Sequence, residues 1–91
     1  MGDNFALQQE ISADSLLDIT AETCPMTFVR TRLMLDRMAV GQTLLVRLRG
    51  EEPRTNVPRT ALEQGHALLG QRDEPDGTTL VLLRKAAAQA R

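Results

Sequence analysis

Aromatic residues are nearly missing from this sequence: Phe5 and Phe28 occur, with no Trp and no Tyr. That nearly excludes the stacking platforms on which single-stranded nucleic acids are held. An excess of positive charge is missing as well. The 11 basic residues against 12 acidic ones leave a formal net charge of -1, which disfavours a surface built to grip phosphates. A single cysteine, Cys24, excludes an internal disulfide, a Cys-x-x-Cys redox pair and a cysteine-built zinc site within one chain. A single histidine, His66, leaves a metal ion without a plausible ligand set, and no cofactor is expected. No stretch approaches the roughly 20 apolar residues that cross a bilayer. Residues 1–14 carry Asp3, Glu10 and Asp14 and no basic start, unlike a signal peptide. The expectation is a soluble cytoplasmic protein with a reduced thiol.

What is present is ordinary globular composition: 91 residues, 42% hydrophobic and 25% charged, enough for one small domain. Residues 1–14 show no strong period and are expected as a flexible N-terminal arm, 15–85 as the single domain and 86–91 (AAAQAR) as a frayed tail. A strand is expected over 15–20 (SLLDIT). A helix follows from Pro25 to about Met38, with Pro25 at its first position and Phe28, Thr31, Met34, Leu35 and Met38 as the core face. Gly41 stands where a left-handed cap would end it. Residues 42–49 (QTLLVRLR) alternate as a strand, and Gly50-Glu51-Glu52-Pro53 reads as a break. A second helix is expected to begin near Asn56 as N-cap, with Pro58 in its first turn and Gly65 at its end. Two further strands, 66–73 and 78–85, flank the hairpin signal Asp76-Gly77. The order β-α-β-α-β-β predicts an α/β two-layer sandwich. Its mixed four-stranded sheet has parallel neighbours from the strand–helix–strand units, one antiparallel strand from the hairpin, and both helices on one face.

Cys24 falls at the strand-to-helix turn, directly before Pro25. Unpaired N–H groups and the partial positive charge of a helix N-terminus favour a thiolate, so one reading is a nucleophile. The other is a small buried hydrophobe without reactivity.

The run LDITAETCPMTFVRTRLMLDRMAVGQTLLV, then NVPRTALEQGHALL and VLLRK, resembles the TusA/SirA-like family of sulfur carriers over about Leu16 to Lys85. Members of that family carry Cys-Pro-x-Pro at the start of the first helix and a persulfide on the cysteine, in a βαβαββ sandwich. The resemblance implies that Cys24 is the sulfur-bearing residue, Pro25 its following proline and Asp18 the family's aspartate near the end of strand one. Pro58 and Gly65-His66 also match recurrent positions. The sequence departs from the pattern at Thr27, in place of the second proline, at Ala21, in place of a loop glycine, and at Glu22, in place of an apolar residue. With no second thiol to release the sulfur internally, the implied role is a sulfurtransferase-type carrier rather than a self-sufficient enzyme. It would need a donor (a desulfurase or rhodanese-like protein) and an acceptor protein.

Other residues have a structural reading beside a functional one. Thr23 and Thr27 flank the thiol and suit helix capping. Arg54 and Arg59, near the start of the second helix, are either solvated charges or stabilisers of a sulfur anion. His66 is expected at the far end of the sheet from Cys24, so no Cys–His dyad is expected. Met26, Val29 and Leu33 form either an exposed docking strip or part of a wide core face. Glu22, Glu51, Glu52, Asp73, Glu74 and Asp76, opposed by Arg54, Arg59 and Arg72, form an acidic rim that would attract a basic partner patch and repel nucleic acid. A non-catalytic binding module of the same fold is the competing function. Peroxide sensing through a Cys24 sulfenate lacks a resolving thiol within the chain.

Overall fold

The computed structural model describes residues 13–23 and 25–86. Its elements are β1 (Ser15–Asp18), α1 (Met26–Arg37), β2 (Thr43–Arg49), α2 (Glu51–Glu63), β3 (Ala67–Asp73) and β4 (Thr78–Arg84). The sheet order is β1-β2-β4-β3, with β1 parallel to β2 and β4 antiparallel to both β2 and β3. β3 therefore runs in the direction of β2, but the parallel adjacency that the strand–helix–strand reading expected of this pair does not occur. β4 is inserted between them because TTLVLLR is buried along nearly its whole length, as a central strand must be. β3 is mostly exposed and takes the edge, with its register broken between Leu68 and Gly70.

Alternation on the central strands builds the core. Leu44, Val46 and Leu48 of β2 and Val81 and Leu83 of β4 meet Leu35 and Met38 at the α1 end and Val57 and Ala61 of α2, so both helices lie on one face. The core side of α1 is Thr27, Thr31 and Leu35, with Phe28 and Met34 half-buried beside it. Asp14 adds to the sheet just ahead of β1: its N–H donates to the Thr43 carbonyl at 3.1 Å and its carboxylate accepts the Thr43 N–H at 2.9 Å.

The N-cap of α2 is Gly50, six residues earlier than the Asn56 cap expected from sequence. Gly50, at φ 109, turns the chain out of β2, and Glu51 and Glu52 place negative charge on the first turn. Pro53 falls within that turn, where no N–H is needed, so the proline marks a helix start and not a break. Pro58 is then a true interior proline that deprives the Arg54 carbonyl of its usual donor. The Gln71 side chain of β3 supplies the replacement, its Nε2 donating to that carbonyl at 3.3 Å. The helix closes as expected at Gly65 (φ 96): Gly65 N–H donates to Leu62 O and His66 N–H to Ala61 O, a double bond pattern that requires the left-handed residue. α1 instead ends at Met38 in extended conformation, and Gly41 belongs to the turn that follows.

A double-mutant cycle tests the repair at Pro58. Gln71→Ala should cost about 1 kcal/mol in urea unfolding. The loss should shrink in a Pro58→Ala background, where a backbone N–H can again reach Arg54.

Candidate functional site

The segment from β1 to α1 is anchored at both ends. Ile19 is buried in the core and its N–H donates to the Arg47 carbonyl at 2.8 Å. Asp18 Oδ1 accepts the Thr20 N–H at 2.9 Å and the Thr20 hydroxyl at 2.7 Å, so the carboxylate fixes the first bend after β1. These Thr20 bonds, with Arg47 beside them, hold the Asp18 carboxyl below its ordinary range. Glu22 N–H closes a turn on Ile19 O at 3.0 Å, and the Glu22 carboxylate meets Arg30 of α1 at 3.2 Å. The ion pair ties loop to helix at the position where the resemblance led to the expectation of an apolar residue.

At the other end, Met26 N–H donates to Thr23 O at 2.7 Å, joining the residues on either side of the Cys24-Pro25 pair. Cys24 itself lies outside the described residues. Pro25 is the N-cap residue, one place before the position expected, and its carbonyl accepts the N–H groups of Phe28 and Val29. The capping expected of Thr23 and Thr27 does not occur: among the described residues no side chain caps α1. Thr23 is exposed and contributes its carbonyl. Thr27, second in the helix, faces the core at 1% exposure, because its spacing with Thr31 and Leu35 puts it on the sheet side. Among the described residues, its Oγ1 has no hydrogen-bond partner.

Met26 and Val29, each 40% exposed, and Leu33, 51% exposed, stand outside the core, as the docking-strip reading requires. Met26 and Leu33 join Leu17, Arg30, Met34 and Arg37 around a shallow groove of about 330 Å³.

The remaining candidates are not brought to this turn. Arg54 is locked onto Asp73 by two bonds, Nε to Oδ1 at 2.9 Å and Nη2 to Oδ2 at 2.7 Å, on β3 at the opposite side of the sheet from β1. Arg59 lies in the third turn of α2 and donates to Asn56 Oδ1 at 2.9 Å, a consequence of the earlier helix start. The rim expected to be acidic alternates in sign. Arg47 bridges Asp18 and Asp76, Arg54 meets Asp73, Arg72 meets Glu74 at 2.7 Å and Arg30 meets Glu22. Glu51 and Glu52 sit at the N-terminus of α2. Sequence reasoning missed Arg47, whose partners lie 29 residues away in both directions along the chain.

His66 is buried at the other end of the sheet, beyond Ala67, which pairs with Arg84. Its Nδ1 accepts the Ala86 N–H at 3.0 Å, and burial followed by the charge of Lys85 pushes the imidazole below its ordinary value. A structural role accounts for it.

Comparison with known proteins agrees with this geometry. The profile of the family described as Sulfurtransferase TusA matches residues 15–85. A protein named as a candidate sulfur carrier from Archaeoglobus fulgidus is 34% identical over 80 residues, 88% of this chain and 91% of its own. The sulfur carrier protein TusA of Pseudomonas entomophila is 34% identical over 74 residues, 81% of this chain and 91% of its own. A SirA-like protein of Desulfitobacterium hafniense shares the fold with a TM-score of 0.70 at 18% identity, over 80% of this chain and 99% of that one. The chain belongs to the TusA family of sulfur carriers. Among the described residues no helix is long and apolar enough to cross a membrane.

Thr27→Pro would restore the family signature. At the second helical position the backbone N–H has no acceptor within the helix, so denaturant unfolding should change by no more than about 1 kcal/mol. A drop several times larger would show that the threonine side chain holds the turn.

Stability should fall with acid in two windows. The unfolded chain protonates His66 near the ordinary value of about 6.5 while the fold resists it, so stability declines as pH drops below that value. Asp18, Asp73 and Asp76 are held below the ordinary 3.8, so their contribution is complete above it and lost as pH falls through their lower folded values. Urea midpoints from pH 8 to pH 3 should show both declines. In His66→Asn, which retains an acceptor for Ala86, the upper one should be absent.

Proposed function

We propose that this chain carries sulfur as a persulfide on Cys24, received from a donor protein and passed to an acceptor protein. The observation that supports the reading is the place of Cys24 in the chain. It lies between Thr23 and Pro25, ahead of a helix whose first N–H groups offer positive potential to a sulfur anion. The Cys24 thiolate attacks the terminal sulfur of a donor persulfide. A new S–S bond forms, the donor S–S bond breaks, and the donor cysteine leaves with the electron pair as a thiolate. An acceptor thiolate then attacks the same sulfur and Cys24 leaves as a thiolate. Each step exchanges one S–S bond for another, so no outside oxidant or reductant enters. The exposed apolar strip of Met26, Val29 and Leu33, which begins two residues from Cys24, suits docking of both partners in turn.

Incubation with a persulfide-charged cysteine desulfurase, or with a rhodanese and thiosulfate, should add one sulfur atom by intact mass. The addition should be lost on reduction and absent in Cys24→Ser. No gain from either donor would leave the non-catalytic binding module, which the Cys-Pro-Met-Thr departure favours, as the function of the fold.

A further inference from the structure

We propose that the second face of the sheet, the one without helices, is the docking surface for the chain's own N-terminal segment, residues 3–11, where the sequence alone suggested a free arm. Both helices cover one face, and alternation along the strands puts Leu16, Leu45, Leu80 and Leu82 on the other. Leu16, Leu45 and Leu82 pair in one row from β1 through β2 to β4. Among the described residues no helix or strand lies over that row. Yet Leu45 is 8% exposed and Leu80 5%, while Leu16, at the border, is 56% exposed. The neighbours do not account for the closure of Leu45. Its row holds only two other leucines, Thr43 precedes it on the same face, and the Arg47 side chain is drawn away to Asp18 and Asp76. A cover over the two central strands that stops short of Leu16 fits these values.

The N-terminal segment has the position, length and charge for this. Asp14 is bonded to Thr43 at the start of β2, so the chain ahead of it enters beside the leucine row. Crossing from β1 to β4 takes two strand spacings, about 10 Å, and a nine-residue segment reaches about 30 Å when extended. Residues 3–11 include the apolar Phe5, Leu7 and Ile11, and their ionisable side chains, Asp3 and Glu10, are both acidic. The face they would meet bears Arg47 and Arg49 of β2 and Arg84 of β4, against Asp18 of β1. Apolar contact in the middle and opposite charge at the margins are thus both available to the segment. A second copy of the chain would instead set two arginine-bearing faces against each other, which opposes that occupant.

Phe5 and Phe28 are the aromatic residues of the chain, and Phe28 packs on the helix side. A ring-current shift on the second face therefore reports Phe5 alone. In the full chain with isotope-labelled leucine methyls, Leu45 and Leu82 should show nuclear Overhauser contacts to the Phe5 ring and upfield-shifted resonances. Phe5→Leu, which stays apolar, should abolish those shifts and leave the methyls of Leu35 and Leu44 unmoved. Phe5→Ala should raise the unfolding equilibrium constant in urea by roughly tenfold or more, as loss of a buried aromatic ring requires. Absence of the contacts, or Leu45 methyls unmoved in Phe5→Leu, would overturn the proposal, as would an unchanged unfolding constant in Phe5→Ala. Contacts that join only differently labelled chains in a mixed sample and fade on dilution would also overturn it, and would assign the face to a second copy.

Discussion

Pairing of β2 with β4, residue for residue from Thr43–Arg84 to Arg49–Thr78, is the constraint on which the rest of the molecule hangs. It sets Leu44, Val46 and Leu48 beside Leu83, Val81 and Thr79 on one face, and that surface seats both helices. It also fixes Arg47 at the height of Asp18 and Leu80, from which the guanidinium reaches the end of β1 on one side and the β3–β4 hairpin on the other. The bend that leads toward Cys24 is positioned by that height. The same ladder touches α1 directly through Leu35 and the start of the loop through Ile19, whose N–H donates to the Arg47 carbonyl.

Elements with a regular period were legible in the sequence. β2 declared itself by alternation, α1 by its core spacing, and the end of α2 by Gly65. The start of α2 was not, because Gly-Glu-Glu-Pro serves equally as a break or as a first turn, and only the φ of Gly50 distinguishes them. Thr27 was misjudged for a related reason. A threonine near a helix start suggests a cap, and its burial depends on the rotation of α1 over the sheet, which side-chain spacing leaves open within one position. Arg47 and Gln71 act through partners distant in sequence, one through an ion-pair bridge and the other through a carbonyl orphaned by a proline. Their roles arise from register, which no local pattern states.

The charge pattern of the loop edge changes what a partner meets. Taken along the chain, the edge is rich in carboxylates. In the fold, arginines from β2, α2, β3 and α1 are interleaved with them as ion pairs, which offsets part of the negative charge and makes the surface alternate in sign over short distances. A partner meeting this edge faces adjacent charges of both signs and not a uniform acidic rim. The apolar strip on α1 is the more continuous feature, with Arg30 and Arg37 bordering the groove beneath it.

The irregular register of β3 has a consequence for how copies of the chain meet. An open sheet offers two rows of unsatisfied backbone groups to any strand that approaches, a template on which copies of a chain can pair edge to edge. Here one border, β1, is only 4 residues long. The other is kinked between Leu68 and Gly70 and studded with Gln71 and Arg72. Neither border offers a straight template of useful length. Both borders are thereby poorer templates for backbone-to-backbone addition than a long straight strand would be.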